Sequence, residues 1–405
     1  KSNVQNVDLT NSNIIIRNNF DVQIDANGDT QVLQVNDPLK EVFLAFDEER
    51  YSLIRSDGTT EALTTDKFVF TVGSTQLQIK GLSGSDPNSK LIATIRKSNV
   101  TNKVKLKSNS SIIINNSINS ASGIGTGTLN DGLRFGSYAF GTRVQDSTIS
   151  LNVPDVMDIY GIYEADGVTD PQSPNAAVSQ LNGPSNSTND LVIGEIITGQ
   201  TSGSKARLIE KLTTNSIGYV YLNDIVFEPG ELINFADSTV TGNISSINIG
   251  SKNITRNYSL AKGQRSSFYD FSRIVKKGNF PAPTRKLRVY FSAGYYESSD
   301  TGDITTVNSY DSFDYSSDIS IVGGKRVTDI IDARPRVSEY STAAGTRSPL
   351  EFFGRNFNGG QHSSKNVIAS DESLTVSYNY YLARADRLYV DKYGSSSVRY
   401  GAPDD

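Results

Sequence analysis

The apolar residues of this chain come in short runs that skip every second position, and that habit constrains the fold more than any motif. Leu374, Val376, Tyr378, Tyr380 and Leu382 repeat with a period of two, as do Phe68, Phe70 and Val72. A pleated strand gathers such residues on one face, whereas a helix scatters them. The runs are cut by turn-forming stretches: Asp25-Ala26-Asn27-Gly28-Asp29, Asp57-Gly58 and Asp391-Lys392-Tyr393-Gly394. Asn-Gly is the strongest short-range hairpin signal among these. Composition points the same way. Only 36% of residues are hydrophobic, while 33 Gly, 20 Tyr and 17 Phe with no Trp suit turns and pleated surfaces. The expectation is an all-β chain of several small β-sandwich or barrel modules on Ser/Gly/Asn-rich connectors, with one or two short helices.

At 405 residues the chain exceeds the usual size of one core, so several modules are expected. Residues 1–36 read as a β-hairpin segment too small for a core of its own, completing an upstream or neighbouring module. Residues 37–108 read as a β-sandwich, with Val42–Phe46 as a buried run and Leu91, Ala93 and Ile95 on one face. A linker or arm is expected over 109–132, where Gly123-Ile124-Gly125-Thr126-Gly127 sits. Residues 133–189 and 251–405 form a larger β-rich domain, interrupted by an insertion at 190–250. That insertion is duplicated: Gly194-Glu195-Ile196-Ile197 recurs as Gly230-Glu231-Leu232-Ile233, 36 positions on. Two copies are too few for a solenoid and suit a two-hairpin mini-barrel.

The densest aromatic and charged segment runs from Asn257 to Ser338. Phe268, Phe271 and Val275 fall at i, i+3 and i+7, which predicts a short helix with Ser267 at its start and Gly278 at its end. Leu287, Val289 and Phe291 then alternate as a half-buried strand.

Chemistry is sparse. Cysteine is absent, which removes disulfides, thiolate nucleophiles and Cys-based zinc sites but leaves the compartment open. His362 is the one histidine and lies in the polar stretch Gly359–Ser364, so it reads as an exposed loop residue rather than a triad member. Asp25–Asp29 resembles the start of a calcium loop, yet position twelve is Asn36 and not Glu. Asp47-Glu48-Glu49 and Asp300-Thr301-Gly302-Asp303 read as solvated acids. Gly123–Gly127 lacks the Lys-Ser/Thr of a phosphate loop. Asp371 and Glu372 are adjacent, so a strand would point them to opposite faces and they make no glycosidase pair. Lys276, Lys277 and Arg285 with Lys286 and Arg288 form the basic cluster, a solvated strand face or a contact for an acidic neighbour. No cofactor and no metal is expected. A net charge of −5 argues against a nucleic-acid surface spanning the chain, and no apolar run reaches the roughly 18 residues of a membrane helix. The start at Lys1 and the end at Gly401–Asp405 suggest a segment of a longer polypeptide, without a leader-like opening.

Gly263–Gly278, Pro281–Lys286, Asn308–Asp311 and Asp329–Val337 resemble a large virion structural protein of contractile-tailed phages, best matched in those infecting marine cyanobacteria. Asp371–Leu374 and Phe140–Asp146 are similar to further segments of that family, and the likeness covers most of the chain from about Asp37. The Gly-Glu cassettes also resemble those of phage tail proteins. The resemblance implies a tail or baseplate component of the virion, assembled in the host cytoplasm, with other tail or baseplate proteins as partners. It implies a homo-oligomer, trimeric or sixfold, and carries no catalytic residue. The expected function is therefore a non-enzymatic structural subunit of a baseplate or attached fibre, holding its neighbours through β-rich interfaces. The alternative is a carbohydrate- or host-receptor-binding module of a tail fibre. Tyr378 and Tyr380, on the strand Leu374–Leu382, and an exposed Tyr295-Tyr296 pair would then stack on host surface sugars. A depolymerase would need an acid pair that the sequence does not display.

Overall fold

A computed structural model describes residues 4–116, 139–340, 348–352, 355–357 and 367–403. The chain is all-β. Among the described residues its helical elements are short 3-10 turns of three or four residues, such as Thr65–Lys67 and Val307–Tyr310. Two compact units emerge, each built from separated segments: 1–105, 296–335 and 358–405 make the first, and 106–295 with 336–357 the second.

In the first unit the strand Val4–Ile24 runs antiparallel to Asp86–Ser98, with Ile16 opposite Ile95 and Phe20 opposite Leu91. The 1–36 segment and the 37–108 stretch thus share one sheet. Tyr51–Ile54 lies on the far side of Asp86–Ser98. A smaller sheet of Leu33–Gln34, Gln76–Ile79 and Phe68–Phe70 completes the core, in which Ile14, Ile16, Leu53, Leu77 and Ile95 are essentially water-free. The Asp25–Asp29 stretch is the hairpin turn that its residues predict. The Asp25 carboxylate accepts the N–H groups of Asn27 and Asp29, each at 2.9 Å. Gly28 sits at φ +82°, and a Cβ there would fall on the Leu82 carbonyl, so only glycine closes this turn.

The second unit holds a sandwich-like core and a closed six-stranded barrel. The core is enclosed by the sheet Thr148–Pro154, Phe271–Lys276, Tyr258–Ala261 and by a four-stranded sheet containing Val156–Glu164 and Leu287–Tyr296. The helix expected over 267–278 is here a strand, Phe271–Lys276, bonded to neighbours on both sides. Ser272 and Ile274 are fully buried along with Phe271. Two flanking ladders and the β-branched pair Ile274-Val275 outweigh a periodicity that spans barely two turns.

The barrel consists of Asn175–Ser179, Ile196–Gly199, Lys205–Thr213, Ser216–Tyr221, Leu232–Phe235 and Thr241–Asn248. It therefore takes in a strand before position 190. The 36-residue repeat is repeated in the hydrogen bonding. Ile196 pairs with Arg207 as Leu232 pairs with Asn243, and Gly194 N–H donates to Leu208 O as Gly230 N–H does to Ile244 O. Thr198 and Asn234 occupy equivalent positions and pair with each other, which puts a local twofold between them.

Candidate functional site

The C-terminal stretch of the first unit departs from the rest of the chain: every residue from Ser377 to Tyr400 is exposed. Thr375–Tyr380 adds to the long first strand, with Tyr378 opposite Val7 and Tyr380 opposite Val4. Its period of two sends the Tyr378 and Tyr380 rings to one side, 6.2 Å apart between centroids and tilted by 49°. Tyr381 follows, and the chain then forms a separate two-stranded hairpin from Arg387–Val390 and Ser396–Arg399. Leu388 faces Val398 and Val390 faces Ser396, so one face carries Leu388, Val390, Val398 and, continuing the alternation, Tyr400. Leu388 is 67% exposed and Tyr400 68%. The opposite face carries Arg387 and Arg399 directly across from each other. Asp391 organises the tip by accepting the Tyr393 and Ser395 N–H groups at 2.8 and 2.9 Å. A two-stranded hairpin with both faces in water is marginal by itself.

A cavity of about 290 Å³ in the same unit is lined by Val4, Tyr310, Phe313, Tyr315, Ile319 and Tyr381, among others. The 3-10 turn Val307–Tyr310 positions the first of these rings. Tyr310 and Phe313 meet edge to face at 5.6 Å, and the Arg326 guanidinium lies 4.6 Å from the Tyr315 ring centre. Asp311 and Asp314 alternate with these rings along the chain and are exposed. Hydrogen bonds from the Ser316 hydroxyl and the Ser317 and Ser316 N–H groups hold the Asp314 carboxyl at about 2, so it is charged at any physiological pH.

A second, polar cleft of about 740 Å³ is lined by Arg55, Ser56, Asp57, Glu61, Lys67 and Asp86, with other residues. Its acids are committed to structure. Glu61 pairs with Arg55 and lies 3.6 Å from Lys67, and Asp86 accepts the Ser56 and Asn88 N–H groups. Those backbone bonds hold the Asp86 carboxyl at about 2. Burial pushes Glu61 up, but its Arg55 hydrogen bond wins and keeps it below the usual carboxylate value. Neither acid is set to carry a proton near neutrality.

The residues singled out from sequence are scattered. Tyr378 and Tyr380 lie on the exposed strand. Tyr296 is no surface residue: it is 3% exposed, shares a hydrogen bond with the Thr305 hydroxyl, and has the Lys103 ammonium 5.1 Å from its ring centre. Successive residues on a strand point to opposite faces, so Tyr295 and Tyr296 do not form the flat exposed pair expected. Lys276 and Lys277 donate to the Phe280 and Arg256 carbonyls, each at 2.8 Å, while Arg285 stands exposed. Glu372 is tied to Arg50 through two hydrogen bonds of 2.6 and 3.2 Å. Asp303 is buried against Lys97 and Thr101. Among the described residues no group of three or more acids or histidines stands where it could hold a metal ion. His362 and Gly123–Gly127 lie outside the described residues.

In the sequence this hairpin announces itself through its turn, Asp391-Lys392-Tyr393-Gly394, and nothing there marks Leu388, Val390, Val398 and Tyr400 as a surface. Alternation cannot say whether a face is covered. The aromatic cavity leaves no local trace in the sequence, since its lining comes from the first strand, the 307–328 region and Tyr381. No protein-family model, curated protein or solved structure matches the chain.

Proposed function

We propose that the chain is a non-enzymatic structural subunit of a contractile phage tail, in the baseplate or an attached fibre, holding its neighbours through β-rich contacts. The observation that carries the attachment part is the stretch Ser377–Tyr400, exposed throughout and apolar on one face of a hairpin. Contiguous apolar surface on a strand with free edges is a place for another chain to pair or pack. The phage assignment rests on the segments Gly263–Gly278 and Asp329–Val337 described above. Purified tails analysed by mass spectrometry, together with a density map of the particle, test it. The expected result is this chain at a fixed position in every tail, with residues 377–400 against a neighbouring subunit. Tails that lack the chain sink the reading.

The Tyr378 and Tyr380 rings favour a second reading, a glycan-binding module, because exposed rings on one strand face offer a stacking surface for sugars. Binding on an array of host-envelope glycans should then fall roughly tenfold or more in Tyr378→Ala/Tyr380→Ala. Array signal that is absent, or unchanged by the double substitution, ends that reading.

A further inference from the structure

The geometry points to a covalent bond between Lys97 and Asp303: an amide made by condensing the Lys97 amine with the Asp303 carboxyl, with Glu41 as the proton carrier. The inference goes beyond the attachment reading and does not depend on it. Three segments of the first unit bring the groups together. Lys97, near the end of Asp86–Ser98, lies directly across from Glu41 on the strand Glu41–Phe43. Asp303 comes from a loop 206 residues further along. That loop is tied down by the Asp303 N–H on the Thr101 carbonyl and the Lys103 N–H on the Ile304 carbonyl, at 2.9 and 2.8 Å. The approach is close, since a Cβ on Gly302 would fall 2.4 Å from the Asn102 carbonyl oxygen. The Asp303 side chain is fully buried, and those of Glu41 and Lys97 are 5% and 12% exposed.

Lys97 Nζ stands 2.6 Å from Asp303 Oδ1, which brings the nitrogen close to the roughly 3–3.5 Å from Cγ at which attack begins. Glu41 Oε1 lies 3.9 Å from the same nitrogen, and its other oxygen accepts the Asp37 N–H at 3.2 Å. Contacts of this kind tighten as a proton moves. Asp303 Oδ2 accepts the Thr101 N–H at 3.0 Å and the Thr101 hydroxyl at 3.1 Å. These two donors mark where negative charge collects on attack. The ammonium first gives one proton to Oδ1, leaving an amine beside a carboxylic acid. The nitrogen lone pair then attacks Cγ, and Oδ2 takes up the displaced charge against Thr101. Glu41 accepts the second proton from the nitrogen and passes it to Oδ1, which departs as water with the C–O bonding pair. One C–N bond forms, one C–O bond breaks, and nothing is oxidised or reduced. The product is neutral, so two charges no longer have to be kept from water, and the enclosed site keeps hydrolysis out. Lys286 and Asp170 are as near, at 2.7 Å, but the Asp170 side chain is 50% exposed and water competes there.

Mass spectrometry of the denatured whole chain tests this, and the wild type alone decides it. Its expected mass is one water below that of the sequence. Proteolysis should yield a branched peptide joining the segments around Lys97 and Asp303, with Lys286 and Asp170 in separate peptides. Lys97→Arg and Asp303→Ala should each have the full mass of their sequences. Glu41→Gln keeps both reacting groups and should form the bond roughly a hundredfold more slowly, read as the linked fraction at successive times after synthesis. Circular dichroism checks that each variant folds. A wild-type chain of full mass, with Lys97 and Asp303 in separate peptides, overturns the inference, and so does a water loss that maps elsewhere. Linkage at the wild-type rate in Glu41→Gln overturns the role given to Glu41.

Discussion

Asp270→Asn should cost the second unit about 3–5 kcal/mol, the range for removing one partner of a buried ion pair. Asp270 is 1% exposed and is surrounded by guanidinium groups. Arg355 reaches it through bonds of 2.7 and 3.0 Å, Arg273 through one of 2.9 Å, and Arg265 lies 3.3 Å away. The Phe271 N–H also donates to it, at 2.9 Å. Asparagine keeps the shape but removes the charge, leaving Arg355, whose side chain is 6% exposed, without an anion. The exposed Arg265 can turn to water, so the loss is concentrated on Arg355 and Arg273. Urea denaturation of the whole chain, followed by hydrogen exchange along Phe271–Lys276, measures it. A loss below about 1 kcal/mol would mean that the arginines are satisfied elsewhere.

The same substitution carries a pH signature. Burial pushes the Asp270 carboxyl up, but the Arg355 hydrogen bond and the charges of Arg355 and Arg273, with the Phe271 N–H, bring it below the ordinary carboxylate value. A carboxyl depressed by folding binds fewer protons in the native than in the unfolded state. Its contribution is complete above the ordinary value near 4 and is lost as pH falls through the folded value. The gap between wild type and Asp270→Asn should therefore be constant from about pH 5 to 8 and shrink on further acidification. A gap that widens in acid would reverse the assigned direction.

How much of this was legible in the sequence differs from element to element, for physical reasons. The period-two run Leu287, Val289 and Phe291 reports its strand. That strand is not half-buried as its alternation suggests, since Tyr290 and Ser292 on the other face are buried as well. The Asp25–Asp29 turn reports itself because its hydrogen bonds are local. Local spacing points Phe271–Lys276 toward a helix because the residues that decide it, in Thr148–Pro154 and Tyr258–Ala261, are distant in sequence. Tyr296 was misplaced for a related reason. Nothing in Tyr295-Tyr296 tells which ring Lys103 and Thr305 will cover. The exposed hairpin was visible as a hairpin and invisible as a surface, since coverage belongs to the whole fold.

The duplicated cassette shows how far a repeat can be pushed toward a prediction. Glu195 and Glu231 open the two copies and are buried, at 1% and 5% exposure. Each carboxylate reaches into the other copy. Glu231 accepts the Thr201 and Ser202 N–H groups at 3.2 and 3.1 Å and the Ser202 hydroxyl, all from the turn after Ile196–Gly199. Glu195 accepts the Asp237 and Ser238 N–H groups at 3.1 and 2.9 Å and the Ser238 hydroxyl, from the turn after Leu232–Phe235. Each also accepts one N–H from its own copy, Val192 or Glu228, at 2.6 Å. Removing either carboxylate strands three backbone donors, each costing about 1–3 kcal/mol if left unpaired, with partial relief from entering water. Glu195→Ala and Glu231→Ala should thus each destabilise the barrel by about 3–5 kcal/mol, and by similar amounts because the local twofold makes them equivalent. Their distinguishing mark is that the damage crosses over. Glu231→Ala should speed amide exchange at Thr201 and Ser202, while Glu195→Ala should speed it at Asp237 and Ser238. Ser238→Ala, which removes one hydroxyl and leaves the carboxylate on the backbone, should cost only about 0.5–1.5 kcal/mol, and Ser202→Ala should cost more because the Ser202 hydroxyl also accepts the Ser204 N–H at 3.0 Å. Exchange that quickens in the substituted copy alone would show each cassette to be closed on itself, and the barrel to be two hairpins side by side rather than two locked through each other's turns.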